Sequence, residues 1–239
     1  MSLIKVKLKN TLLQAKLRNK NLPPLARQNL EALKDLDLRQ PARALSYVVV
    51  DLETTGLDVR ADRVLSVGAV RIGQGRVRLG DNFVELVNPG RSIPVESIRV
   101  HGIKPDQVHG ARRATQVFED FLTYLGTDIL VAHHARFDMH FINATMNRLY
   151  GFSLQNPVMD TVRMCESLVL PSDPYGVGRN QKKCSLDSLC ARFGITTEER
   201  HTAMGDALAT AIIFLRMLKR LEDAGSGTLR DLWRLAALG

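Results

Sequence analysis

A short β-prone run, Tyr47-Val48-Val49-Val50, stops abruptly in Asp51-Leu52-Glu53-Thr54-Thr55-Gly56, and this junction constrains the fold more than any other stretch. An uninterrupted apolar strand is the kind buried on both faces, which requires helices above and below a sheet. Side chains two apart on a strand point the same way, so Asp51 and Glu53 aim two carboxylates at one place where the apolar run ends. Two like charges held together need a cation, and hard oxygen donors suit magnesium or manganese. The plainer alternative is a solvated strand end without a role.

Later segments fill in the sheet. Val64 to Ile72 and Arg76 to Val87 read as antiparallel strands joined by a hairpin turn at Gly73-Gln74-Gly75. Helix, strand and helix then alternate over Thr115–Leu125, Asp128–Ala132 and Ala135–Tyr150. A short strand at Val158-Met159, a helix to about Leu168 and a polar loop from Pro171 to Lys183 follow, and helices at Ser185–Phe193, Thr202–Glu222 and Leu229–Leu238 complete the chain. The expected class is α/β, with a mixed five-stranded sheet flanked by helices.

The first 44 residues read as a basic helical extension, leaving 45–239 as the main domain. They hold ten Lys or Arg against Glu31, Asp35 and Asp37, whereas the whole chain carries a net charge of +8, so the rest is nearly balanced. Leu8, Leu12, Leu13 and Leu17 fall at roughly helical spacing, Pro23-Pro24 interrupts, and a second helix is expected from Leu25 to about Leu36. Such an arm either binds a polyanion, docks a protein partner or packs on the domain. No apolar run is long enough for a membrane span, and the N-terminus lacks the apolar block of a secretory signal. Cys165, Cys184 and Cys190 are odd in number and show no CxxC spacing, so neither a disulfide framework nor a zinc site is expected, and a reducing cytoplasm fits.

Two more clusters carry polar chemistry. Val131-Ala132-His133-His134-Ala135-Arg136-Phe137-Asp138 delivers polar groups at the C-terminal end of a second apolar strand, where open α/β sheets place their sites. Alone, Asp138 reads as a first-turn acid favoured by the helix dipole. The adjacent histidines lack companions at zinc-ligand spacing. His201-Thr202-Ala203-Met204-Gly205-Asp206 opens a late helix, with Asp206 in its first turns and His201 just before it.

Taken together, DxE, then His and FD after a later strand, then HxxxxD at a late helix resemble the DEDD exonuclease superfamily in its histidine-containing branch. The resemblance is nearest to the epsilon-type proofreading exonucleases of bacterial DNA polymerase III and covers roughly Leu45 to Leu221. His101-Gly102-Ile103, Asp160-Thr161 and Ser185-Leu186-x-x-Leu189 also resemble family segments. One departure is His134, where the family usually carries Asn. After Gly225–Gly227 only a short helix follows, so a permanent polymerase subunit is not the first expectation.

The resemblance implies a ribonuclease H-like fold and two divalent cations, Mg2+ or Mn2+, held by Asp51, Glu53, Asp138 and Asp206. In that scheme Asp51 bridges, Glu53 and Asp206 serve the nucleophile side, Asp138 supports, and His201 is the general base. Thr54, Thr55 and Gly56 are expected to meet the terminal nucleotide, with His101 and Phe137 as further substrate-binding candidates. The implied activity is 3′–5′ exonucleolytic release of nucleoside 5′-monophosphates from single-stranded or frayed DNA ends. The alternatives are an RNA-directed enzyme of ribonuclease T-like or oligoribonuclease-like type, and an inactive nucleic-acid-binding or scaffold module.

Overall fold

The computed structural model describes residues 3–18, 20–169, 181–196 and 199–238. Its elements are α1 (Leu3–Leu17), α2 (Pro24–Leu30), β1 (Tyr47–Thr54), β2 (Val64–Gly73), β3 (Arg76–Asn88), α3 (Val95–His101), α4 (Pro105–His109), β4 (Arg112–Arg113), α5 (Ala114–Leu125) and β5 (Ile129–Ala132). They continue as α6 (Arg136–Tyr150), β6 (Val158–Asp160), α7 (Thr161–Leu168), α8 (Leu186–Phe193), α9 (Ala203–Asp223) and α10 (Leu229–Ala236). The sheet order is β4-β3-β2-β1-β5-β6. β2 is antiparallel to β1 and β3, whereas β5 runs parallel to both β1 and β6.

The sheet thus has one more strand than the five expected. β4 is two exposed arginines paired with Val87 and Asn88, too short and too polar to leave a periodic signal. The β2–β3 turn follows from its residues: Gln74 and Gly75 both have positive φ, 54° and 67°, the two-residue arrangement whose twist matches an antiparallel pair. The polar loop expected over Pro171–Lys183 lies mostly outside the described residues, and Gln181–Cys184 form a 3-10 turn.

Strand alternation divides the core. Tyr47 and Val49 of β1, with Val70 and Ile72 of β2, face α7, α8, α9 and α10. Val48, Val50 and Leu52, with Val67 and Ala69, face α2, α5 and α6. Asp51 and Glu53 share the parity of Tyr47 and Val49 and therefore look toward α9. β1 runs on to Thr54, so both acids lie inside the strand rather than beyond it. What ends is the neighbour: the recorded β1–β5 pairs stop at Val49–Val131, leaving the acids with β2 alone beside them.

The extension packs against the sheet end remote from these acids. Asn29 donates to Asn156 Oδ1 at 2.5 Å and accepts from Gln155 N–H at 3.1 Å, while Asn156 donates to the carbonyls of Gly126 and Asp128, just before β5. Leu17, Ala26 and Leu30 join one core layer, and Leu3, Leu33 and Ala42 the other. Leu8 and Leu12, by contrast, stay 60% and 63% exposed, and α2 ends at Leu30 rather than near Leu36. Of the three fates open to the arm, packing on the domain is the one its contacts support.

The cysteine expectation needs correction: Cys165 in α7 and Cys184 in the 3-10 turn form a disulfide across 19 positions, and Cys190 is free and buried. Their spacing reveals nothing because the pairing is made by the fold. Among the described residues no helix is long and apolar enough to cross a membrane.

Candidate active site

One glycine lets the start of α9 close on β2, and another lets the loop before α9 fold back over its first turn. Gly68 of β2 pairs with Asp51, and a Cβ on it would lie 2.3 Å from the backbone of Ala203 and Met204. A Cβ on Gly205 would fall 1.8 Å from the Glu199 carbonyl oxygen. No side chain other than hydrogen fits at either position. Thr202 caps α9 by accepting the Gly205 N–H at 3.1 Å, and Asp206 follows in the first turn. As a result one carboxylate oxygen each from Asp51, Glu53 and Asp206 lies within 4.8 Å of the other two. Hard oxygen donors at that spacing fit a divalent cation.

Asp138 is brought close but outside this trio. It is buried at the start of α6, and its charge raises the proton affinity of Asp51. Burial, then Asp138 and Glu53, push the Asp51 carboxyl well above the usual range. Burial pushes Glu53 up to about 7, against the pull of Arg200. Asp138 and Asp160 are raised by burial as well. Clustered acids that hold protons so firmly are what a polar site looks like when its positive charge falls short.

Arg200 supplies part of that charge and is the residue sequence reasoning missed. Its Nη1 donates to Asp206 Oδ1, and its Nη2 and Nε to Asp187 Oδ1 at 2.5 and 3.1 Å. Nothing in the order of residues marks it, since an arginine before a histidine is commonplace. His201 is exposed, has a φ of 62°, and donates its backbone N–H to Asp206 Oδ1 at 3.2 Å. Its side chain bears on Asp187, whose carboxyl is lowered first by Arg200 and in part by His201. The ring therefore stands at the mouth of the cluster rather than within it.

The other candidates divide. Thr54 Oγ1 donates to the Gly56 carbonyl at 2.7 Å and Thr55 Oγ1 to Asp62 Oδ1 at 2.9 Å, so both hydroxyls shape the loop and leave the backbone around Gly56 to meet a ligand. His101 is buried, with Nδ1 accepting the Ile103 N–H at 3.0 Å. Phe137 is half-buried, its ring 5.2 Å from that of Phe141. Leu57, not foreseen, projects 85% exposed beside Gly56. His134 has a φ of 58°, a left-handed conformation that Asn adopts readily and His tolerates, so the departure at this position costs the backbone little. His133 is held at Nδ1 by Thr161 Oγ1 at 2.8 Å, and burial, His134 and Arg200 push its pKa down to about 3.

Residues 48–214 match the family model described as exonuclease. The chain is 41% identical over 191 residues to a DNA polymerase III subunit epsilon-like protein of Rhodobacter capsulatus, covering 79% of this chain and 26% of that protein. It is 31% identical over 215 residues to the PolC-type DNA polymerase III of Thermotoga petrophila, covering 86% and 15% respectively. It thus spans about a quarter or less of these relatives' lengths. Among solved structures, E. coli exonuclease I in complex with a dT13 oligonucleotide superimposes with a TM-score of 0.61 at 19% identity, over 76% of this chain and 42% of that one, a likeness of fold. With well over half of its length inside the matched segment, and with Asp51, Glu53 and Asp206 gathered at one sheet end, the chain belongs to the exonuclease family, within the DEDD superfamily that its motifs resemble.

Proposed function

We propose that the chain is a metal-dependent 3′–5′ exonuclease that hydrolyses terminal phosphodiester bonds of single-stranded or frayed DNA and releases nucleoside 5′-monophosphates. The observation that carries this reading is the convergence of Asp51, Glu53 and Asp206 oxygens within 4.8 Å of one another. The naming of the relatives as DNA polymerase III proteins supports DNA over RNA.

Asp51, Glu53 and Asp206 would hold the divalent ions, Mg2+ or Mn2+, with Asp138 behind Asp51. Bound there, a pair of such ions supplies Lewis acidity toward the phosphate and a more acidic water. The remaining work falls to the chain. His201, at the mouth, takes the proton of the attacking water on a ring nitrogen, a contribution of about 10² to 10⁴ in rate. Its backbone bond to Asp206 ties that base to the acid cluster. The Gly56 backbone and the exposed Leu57 side chain meet the sugar and base of the terminal nucleotide without hydrogen-bonded readout, which gives end recognition indifferent to sequence.

The test is a time course on 3′-labelled and 5′-labelled strands of DNA and of RNA, beside Asp206→Ala and His201→Ala. Loss of label from the 3′ end first, abolished in Asp206→Ala and slowed at least about a hundredfold in His201→Ala, is expected. Shortening from the 5′ end, or preferential loss of RNA, would overturn the assignment.

A further inference from the structure

A second, cationic hollow of about 510 Å³ opens between the ends of β2 and β3, the start of α5 and the side of α6. Its charged lining is Arg63, Arg113, Arg148 and Asp62. The lone acid is already engaged: it accepts from the Thr55 hydroxyl and from the Asp58 N–H, at 2.9 and 3.0 Å, and pairs with Arg91 at 3.7 Å. Arg63 is fixed by donating Nη1 to the carbonyls of Arg60, Ala61 and Asp62 at 3.3, 3.2 and 2.7 Å. Arg113 and Arg148 are exposed, and no carboxylate among the described residues pairs with either. The first two residues of α5, Ala114 and Thr115, also line the hollow. Its N-cap Arg113 brings no side-chain acceptor, so the first-turn amides there add to the positive field.

Position links this hollow to the acid cluster. Thr54, at the end of β1, pairs with Val64, which lines the hollow; Asn88, at the end of β3, lines it too and pairs with Arg113. The two sites thus lie at one end of the sheet, the acids on the face toward α9 and the hollow on the face toward α5 and α6, with the Thr54–Gly56 loop between them. Helix α6 spans both, carrying Asp138 one turn before Phe141 and, further on, Arg148. The aromatic residue in the lining, Phe141, is 3% exposed and offers no stacking face. Such a surface reads phosphate rather than base.

We propose that this hollow is a second phosphate-binding site, which grips the sugar-phosphate backbone of the same nucleic-acid strand whose end reaches Asp51, Glu53 and Asp206. The proposal rests on the nuclease reading above and adds where the strand is held beyond its reacting end. Three arginines and a helix start would engage consecutive phosphates and let the strand slide, without regard to sequence.

The test compares wild type with an Arg113→Ala/Arg148→Ala double variant. Anisotropy of a labelled long single-stranded oligonucleotide, without divalent metal and across a salt series, reads binding. Hydrolysis of thymidine 5′-monophosphate p-nitrophenyl ester with manganese reads the chemistry on a substrate too short to reach the hollow. The expected result is about tenfold weaker strand binding at low salt, a log–log salt slope shallower by about 1.4, as for two lost single-strand phosphate contacts, and unchanged ester hydrolysis. Arg148→Glu keeps the test readable should the loss of Arg113 disturb β4. Unchanged affinity and slope in both variants would overturn the proposal. So would weaker inhibition by free nucleoside 5′-monophosphate with strand binding intact, which marks a mononucleotide site. Failure of the nuclease reading shows instead in the wild type, as an absence of both ester hydrolysis and strand shortening, and removes the premise without involving the variants.

Discussion

Glu53 shows most directly what the acid cluster demands of the fold. Its carboxyl, ordinarily near 4.5, is pushed up to about 7 mainly by burial. A carboxyl with a raised folded-state value binds a proton in the folded protein that the unfolded chain has already released. Its contribution to stability is therefore full below about pH 4.5 and falls away as pH rises toward about 7, a difference on the order of 3 kcal/mol. His133, held neutral by burial, acts in the opposite sense between about pH 3 and 6.5, so the comparison must be between proteins sharing it. In metal-free buffer, Glu53→Gln should gain melting temperature relative to wild type from pH 5 to about pH 7 and level off above it, and magnesium or manganese should erase the gain. A constant difference across that range would show that Glu53 is not held protonated. The DxE pair and the later acids were legible because carboxylates at strand ends and helix starts carry their geometry in their spacing. Arg200 was not, for it is a long side chain whose bond to Asp206 depends on where the preceding loop lies. The burial of His101 and the bonds made by the two threonine hydroxyls were not legible either, since both depend on how the loops pack.

At the scale of elements, the approach of α9 to β2 sets the distance between Asp206 and its partners. Gly68→Ala would thrust a methyl group 2.3 Å from the Ala203 backbone, which cannot yield as a flexible side chain would. The expected cost is about 1–3 kcal/mol in chemical unfolding. Moving the start of α9 by even about an ångström should also lower kcat on the order of a hundredfold. Gly73→Ala, whose Cβ would meet only the end of Arg78 at 3.4 Å, is the control and should alter neither. Unimpaired kcat in Gly68→Ala would mean that the α9 contact does not position Asp206. Elements with strong burial patterns were readable: β1, β2 and β5 are nearly continuous in buried residues, and α9 buries one long stripe from Ala203 to Leu221. The short α3 and α4, seven and five residues long, and the two-residue β4 expose most of their side chains and so carry no periodic signature. The disulfide between α7 and the turn before α8 escaped for a topological reason, since two cysteines 19 apart pair only once the intervening chain has folded back.

For the whole molecule, the basic arm behaves as part of the body. Its polar anchors reach Asn156 and Gln155, and its apolar residues enter both core layers. Removing residues 1–44 should lower the melting temperature by more than about 10 °C, the equivalent of several kcal/mol in a chain this long, and should change oligonucleotide binding only as far as folding suffers. An unchanged melting temperature with weakened binding and a flatter salt dependence would return the arm to a nucleic-acid role. The arm is also laced to the far end of the chain: Ala42 N–H donates to the Gly227 carbonyl, Leu229 N–H to Gln40 and Arg230 N–H to Leu38, at 2.8, 2.9 and 2.9 Å. Both laced segments fall outside residues 48–214. A protease that nicks either flank would therefore loosen its counterpart as well, and a relative lacking this clasp must shelter the same flank of Tyr47 and Phe214 by other means.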